Sequence, residues 1–137
     1  MTKTISDLSL AVSEADVKKG VEDYLTIQQN LGNLMYLRLN SGELIALAGE
    51  TRRRIKLCSP GTYDFVIFQP TNHTLYYQTA LVGGCEPVKA CRVTFIETKS
   101  SKGKTTEAQD RFAEEARKMN CRCFVVRDAD QLKEILK

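Results

Sequence analysis

Histidine is almost absent: His73 is the only one in the chain. That leaves little for histidine-based chemistry. A Cys–His nucleophilic pair would have to use His73, and nothing near it supports one. The five cysteines, Cys58, Cys85, Cys91, Cys121 and Cys123, are odd in number and irregularly spaced. A disulfide framework is not expected from them, and Cys121 and Cys123 form C-x-C rather than a zinc-type C-x-x-C. Their expected role is packing or inert surface thiol. No apolar stretch approaches the roughly 20 residues that span a bilayer. The first residues lack a basic cluster, a long apolar core and a cleavage site, so no signal peptide is expected. The expectation is an intracellular, cytoplasmic protein with no membrane partner. There is no internal repeat, no low-complexity segment and no strong charge of one sign, the formal net charge being +3.

What is present fits one domain over 1–137, with 1–12 as a flexible N-terminal segment. Hydrophobic content of 42% and charged content of 27% are ordinary for a globular chain with a real core. The positive charge is not spread evenly. "RRRIK" (Arg52, Arg53, Arg54, Lys56) and the lysines Lys99, Lys102 and Lys104 concentrate it in two segments that read as loops, whereas acidic residues lie largely on helices. Basic loops of this kind are the electrostatic footprint of a phosphate-backbone binder, and equally of a merely solvated loop.

The local signals run in order. "SEADVKKGVEDYL" opens with an approximate capping box from Ser13 to Asp16 and continues with helical spacing of Val17, Val21, Tyr24 and Leu25, predicting a helix over 14–30. Gly20 weakens it and Gly32 with Asn33 end it. "LMYLRLN" alternates Met35, Leu37 and Leu39 against Tyr36, Arg38 and Asn40. A strand through "ELIALAG" is expected to return after the Ser41-Gly42 turn, with a third over "RRIKLC". "SPG" breaks the chain before the apolar run "TYDFVIFQP", whose expected partner is "CRVTFIETK". Between them, 70–91 reads as a hairpin excursion or strand extension. Thr106 and Gln109 form a T-x-x-Q capping box, and Ala108, Phe112, Ala116 and Met119 form a helical stripe. "CRCFVVRD" is a strand and "DADQLKEIL" a short helix with Leu132, Ile135 and Leu136 inward. Strand–helix–strand at the end predicts a parallel crossover, hence a mixed central β-sheet flanked by helices, an α/β protein.

One stretch poses a chemical question. In "VTFIETKSSKGKT" a core-like strand ends on Glu97 and Lys99, which share a face because residues two apart in a strand point the same way. Asp64 stands where a Gly-containing turn leads into the partner strand. If the strands are neighbours, two carboxylates and one ammonium meet at the sheet's edge. Two acidic oxygens with a main-chain carbonyl and water suit a hard divalent cation such as Mg²⁺. Each signal alone has a plain structural reading: E-x-K as a surface ion pair, Asp64 as a turn residue, Gln109 as a capping partner of Thr106.

The joint order, Gly61-x-x-Asp64 before a strand, Glu97-x-Lys99 at the end of the next, a basic loop, then Thr106 and Gln109 opening a helix, resembles the PD-(D/E)xK nuclease superfamily and within it the VRR-NUC family. The likeness covers nearly the whole chain, and the E-x-K–Thr–Gln run is its most specific part. The resemblance implies a restriction-endonuclease-like core, α-β-β-β-α-β. It also implies a Mg²⁺-dependent endodeoxyribonuclease, with Mn²⁺ as a substitute, leaving 5′-phosphate ends. Asp64, Glu97 and the carbonyl of Thr98 would bind the metal, Lys99 would orient water or stabilise charge, and Gln109 would orient Lys99 or the water. An acid of the first helix would join them: Glu14, with Asp16 and Glu22 as rivals. The expected substrate is branched DNA such as a Holliday junction, and the expected assembly a homodimer. Arg52, Arg53, Arg54, Lys56, Lys102 and Lys104 would hold backbone phosphates. Tyr63 stands where the family commonly has Pro, which bears on the turn rather than the chemistry. The alternative is a non-catalytic nucleic-acid-binding module that keeps the nuclease fold.

Overall fold

The computed structural model describes residues 12–78 and 85–137. The expected flexible segment 1–12 falls almost wholly outside them. In chain order the elements are α1 (Glu14–Asn30), β1 (Met35–Arg38), β2 (Glu43–Ala48), β3 (Thr51–Lys56), β4 (Phe65–Gln78), β5 (Cys85–Thr98), α2 (Glu107–Lys118), β6 (Arg122–Val126) and α3 (Gln131–Ile135). The main sheet runs β1-β4-β5-β6, and β2 pairs with β3 in a separate two-stranded sheet. The first two pairings of the main sheet are antiparallel and β5–β6 is parallel, so the sheet is mixed, as the strand–helix–strand ending predicts. Without the β2–β3 hairpin the order is α-β-β-β-α-β, followed by the short helix α3.

Helices pack on both faces of this sheet. On one, Val17, Val21 and Leu25 of α1 and Leu132 of α3 pack on Phe65, Ile67, Ile96 and Val126. These α1 residues recur every four positions, one stripe of a helix. On the other, Ala113 of α2 packs with Tyr63 and Cys123, joined by Phe95, Phe112 and Ala116. The strands therefore alternate: Phe65, Ile67 and Ile96 face α1, and Phe95 and Cys123 face α2.

Several expectations need correction. β1 does not pair with β2; it pairs with β4, Tyr36 opposite Ile67. The buried side of β1 is the Tyr36 side, which packs on the α1 core. Met35 and Leu37 are each 52% exposed, because α2 lies over the β5–β6 half of its face and leaves the β1 half open. "RRRIK" lies in β3, in keeping with the strand expected over "RRIKLC" and not with the loop its charge suggested. Met119 caps α2 with 73% of its surface exposed, outside the stripe that was to bury it. The excursion, by contrast, is the strand extension that was one of its two expected forms, continuing β4 and β5: pairing resumes from Thr74↔Lys89 to Gln78↔Cys85 after a register shift between Pro70 and Thr74. Pro70 has no N–H for the ladder, which accounts for an irregularity there. Residues 79–84 lie outside the described residues, as do the side chains of Tyr76 and Tyr77.

Candidate active site

The chain is brought to Asp64 by a tight turn. Thr62 N–H donates to the Ser59 carbonyl at 3.1 Å, with Pro60 and Gly61 between them and Gly61 at φ +90°. This is the Pro-Gly order of a type II turn. Tyr63 follows and is 2% exposed, its ring 5.3 Å from that of Phe112. Tyr63 thus supplies a core side chain beneath α2. Asp64 comes next, its carbonyl accepting from Leu39 N–H at 2.7 Å.

Asp64 turns its carboxylate across the end of the sheet. Oδ2 accepts from the Thr98 amide at 2.9 Å and from the Thr98 hydroxyl at 2.6 Å. A residue's N–H and C=O point to the same side of a strand, so the Thr98 carbonyl lies on the Asp64 side. The next amide, Lys99 N–H, points the other way and donates to Val126 on β6 at 2.9 Å. Asp64 is thereby fixed beside the last residues of β5.

Glu97 and Lys99 are buried, 3% and 8% exposed. Lys99 Nζ stands 2.9 Å from Glu97 Oε1 and 3.8 Å from Glu14 Oε1. The side-by-side carboxylate and ammonium at the strand's end are thus a sequestered ion pair, not the exposed one that E-x-K usually makes. Gln109 does two things. Its backbone N–H donates to Thr106 Oγ1 and its Oε1 accepts from Thr106 N–H at 2.9 Å, completing the capping box. With Oε1 so used, the amide's Nε2 is aimed at Glu97 Oε1 and donates at 2.6 Å. Gln109 therefore orients Glu97, where the expectation was Lys99 or a water.

The first-helix acids separate cleanly. Glu14 faces Lys99, Asp16 is spent on the N-cap of α1 with Ser13, and Glu22 pairs with Arg38 at 3.0 Å. A residue that sequence reasoning missed completes the group. Lys18 Nζ lies 2.5 Å from Asp64 Oδ1. It stands one helical turn after Glu14, so the two share a side of α1, a spacing that was there to be noticed.

Burial pushes the Glu97 carboxyl above its ordinary 4.5, opposed by the Lys99 hydrogen bond and assisted by the negative charge of Asp64. Burial also pulls Lys99 downward, but Glu97, Glu14 and Asp64 together outweigh it and hold the ammonium above 10.5. Because folded Glu97 binds its proton more tightly than unfolded Glu97, its contribution to stability is greatest below pH 4.5 and declines as pH rises through the folded value. The stability difference between wild type and Glu97→Gln should therefore shift against wild type from about pH 4 to pH 7. Denaturant titrations at several pH values check this; a constant difference would contradict it.

The donor set here is oxygen only: carboxylates of Asp64, Glu97 and Glu14 and the Thr98 carbonyl. That chemistry fits a hard cation such as Mg²⁺ or Mn²⁺. Among the described residues no three His, Cys, Asp or Glu side chains stand as a ready-made metal cluster. A cation would rest on two carboxylates, a carbonyl and water. The lysines at Asp64 and Glu97 supply positive charge on these carboxylates.

The basic residues are elsewhere on the chain. Arg52, Arg53, Arg54 and Lys56 are exposed on β3. Cross-strand pairs Leu47↔Arg52, Ile45↔Arg54 and Glu43↔Lys56 put Arg52, Arg54 and Lys56 on one face of the hairpin, with Arg53 on the other. Lys102 and Lys104 are exposed in the loop between β5 and α2. The cysteines Cys58, Cys91, Cys121 and Cys123 are free thiols, and Cys123 is buried in the α2-side core. No helix among the described residues is long and apolar enough to cross a membrane. No family model matches the chain, and no curated protein or solved structure matches it either.

Proposed function

We propose that this protein is a metal-dependent endonuclease that hydrolyses DNA phosphodiester bonds, with a restriction-endonuclease-like core and the site residues of the VRR-NUC pattern. The observation that carries the reading is the convergence of Asp64, Glu97 and Lys99 at one end of the sheet, Asp64 bonded to Thr98 and Lys99 bonded to Glu97. The α-β-β-β-α-β order supports it. Asp64, Glu97 and the Thr98 carbonyl would hold Mg²⁺ or Mn²⁺, which supplies Lewis-acid polarisation of a phosphoryl oxygen and a more acidic water. Lys99, with its ammonium kept charged, orients the attacking water and balances charge growing on the phosphate. Gln109 holds the Glu97 carboxylate in one orientation, and Glu14 limits the swing of the Lys99 side chain.

The exposed cations serve the polymer. Arg52, Arg54 and Lys56 form one basic face of a two-stranded ribbon, and Lys102 and Lys104 follow the catalytic strand directly. Such contacts hold phosphates without reading sequence, which suits an enzyme selective for DNA shape. Branched DNA such as a four-way junction is the proposed substrate, and a homodimer with paired sites matches its two-fold symmetry. Exposed Met35 and Leu37 on the edge strand β1 offer apolar surface for a second copy.

Substituting both Arg52 and Arg54 by Ala should weaken DNA binding uniformly across sequences and reduce the salt slope of binding by about two phosphate contacts. Fluorescence anisotropy at several salt concentrations measures this; an unchanged slope would remove the hairpin from the interface. A panel of junction, flap, nicked and single-stranded DNA in one cleavage assay identifies the preferred structure.

A second reading has its own observation. Both carboxylates already carry an ammonium partner, Lys18 on Asp64 and Lys99 on Glu97, so the site is charge-compensated without a cation. That arrangement suits a nucleic-acid-binding module that keeps the fold without catalysis. Junction binding with no cleavage in Mg²⁺ or Mn²⁺ would select it.

A further inference from the structure

Asp64 has little capacity left for another partner. One oxygen accepts two hydrogen bonds from Thr98, at 2.9 Å and 2.6 Å, and the other faces the Lys18 ammonium at 2.5 Å. The Thr98 contacts come from the backbone and a fully buried side chain and are fixed by the strand. The Lys18 contact comes from a flexible four-carbon stem whose side chain is 29% exposed, against 14% for Asp64. Of the groups around this carboxylate, Lys18 is the one with room to leave.

We infer that Lys18 is a built-in counter-ion that competes with a divalent cation for Asp64. The inference rests on the reading that Asp64 and Glu97 hold a metal, and assigns Lys18 the role of a positioning residue acting through Asp64. With no cation bound, Lys18 neutralises a carboxylate that would otherwise face the negative charge of Glu97. When a cation binds, the ammonium is displaced, and its stem keeps it on the α1 side of the site beside any anion held there. Lys18 thus lowers the affinity of the site for metal while keeping the metal-free protein folded.

The test is Mn²⁺ binding without DNA, followed by calorimetry or by the loss of the free-ion electron paramagnetic resonance signal. Wild type, Lys18→Met, Lys18→Arg and Asp64→Asn are compared. Lys18→Met should bind Mn²⁺ on the order of tenfold more tightly than wild type, because the competing charge is gone. Lys18→Arg, which keeps the charge, should stay close to wild type, and Asp64→Asn should bind weakly. Mn²⁺ should also raise the melting temperature of Lys18→Met more than that of wild type. A merely structural ion pair would not move either quantity in that direction. Should Lys18→Met fold poorly, Lys18→Gln carries the same expectation. Equal Mn²⁺ affinity in wild type and the neutral variants, with Asp64→Asn impaired, would overturn the inference and leave the metal site standing. No Mn²⁺ binding by any of the four would overturn both.

Discussion

Lys99→Ala is expected to lower the rate of DNA cleavage on the order of a thousandfold, with DNA binding largely preserved. Glu97→Gln should do the same by a different route. Losing Lys99 removes the group that orients water and balances charge; losing the Glu97 carboxylate removes a proposed cation ligand. The fold should survive both. Breaking a buried pair by deleting one partner ordinarily costs about 3–5 kcal/mol, because the other charge is stranded. Here each survivor has a way out. Glu97 is already pushed upward by burial and takes up a proton more readily than an ordinary glutamate, and Lys99 retains Glu14 at 3.8 Å. Single-turnover cleavage with saturating enzyme, alongside anisotropy for binding, separates these effects. Unchanged rates in both variants would remove the pair from the mechanism.

Gly61→Ala should be the most damaging glycine-to-alanine change among the described residues. Gly61 adopts φ +90°, where a side chain is strained, and an added Cβ would stand 2.5 Å from the backbone carbon and oxygen of Ala108. Those are fixed atoms of the first turn of α2, so the helix or the turn must move. Strain of about 1–3 kcal/mol and overpacking of similar size both apply. The expected loss is therefore about 3 kcal/mol or more. Gly61 lies three residues before Asp64, and Ala108 adjoins Gln109, so the displacement also reaches the site. Gly32→Ala is the natural comparison: its φ is +77° but nothing lies within 4 Å of the added atom, leaving only the conformational cost. Urea unfolding of both variants measures the difference. Equal losses would show that the Ala108 contact contributes nothing.

The same two helix starts explain why so much was legible. The Ser13–Asp16 and Thr106–Gln109 pairs are local, three-residue signals, and both arms of each capping box form. Pairing of the Asp64 strand with the Glu97 strand was also readable, because both are short apolar runs set off by turn residues. Once those strands are neighbours, the position of Asp64, Glu97 and Lys99 follows from period-two alternation and the turn at Gly61.

What was hidden is non-local. Nothing in "LMYLRLN" says that its partner is β4 rather than the strand after it, since a short turn ordinarily returns the chain to its neighbour. The β2–β3 hairpin is apolar on paper, yet Leu44, Ile45, Leu47 and Ile55 are all exposed, because the hairpin stands apart from the main sheet. Its charges looked like a loop for want of a buried face. Met119 satisfies the helical period but falls where α2 ends. Lys18 was overlooked because a lysine on an amphipathic helix is ordinarily solvent-facing, and only the end of the sheet gives it a carboxylate. Gln109 was expected to turn to Lys99 or to a water, and its amide donates to Glu97, a choice that spacing alone does not make.

Metal-dependent catalysis at Asp64 is tested by cleavage of an end-labelled four-way junction by the purified protein, run with Mg²⁺, with Mg²⁺ plus excess chelator, and with Asp64→Asn. Cutting is expected in the first reaction and is expected to be lost in the other two, with Asp64→Asn still binding the junction. Cutting that persists in chelator or in Asp64→Asn would rule out metal-dependent catalysis at Asp64, as would an intact junction after saturating wild-type protein and Mg²⁺.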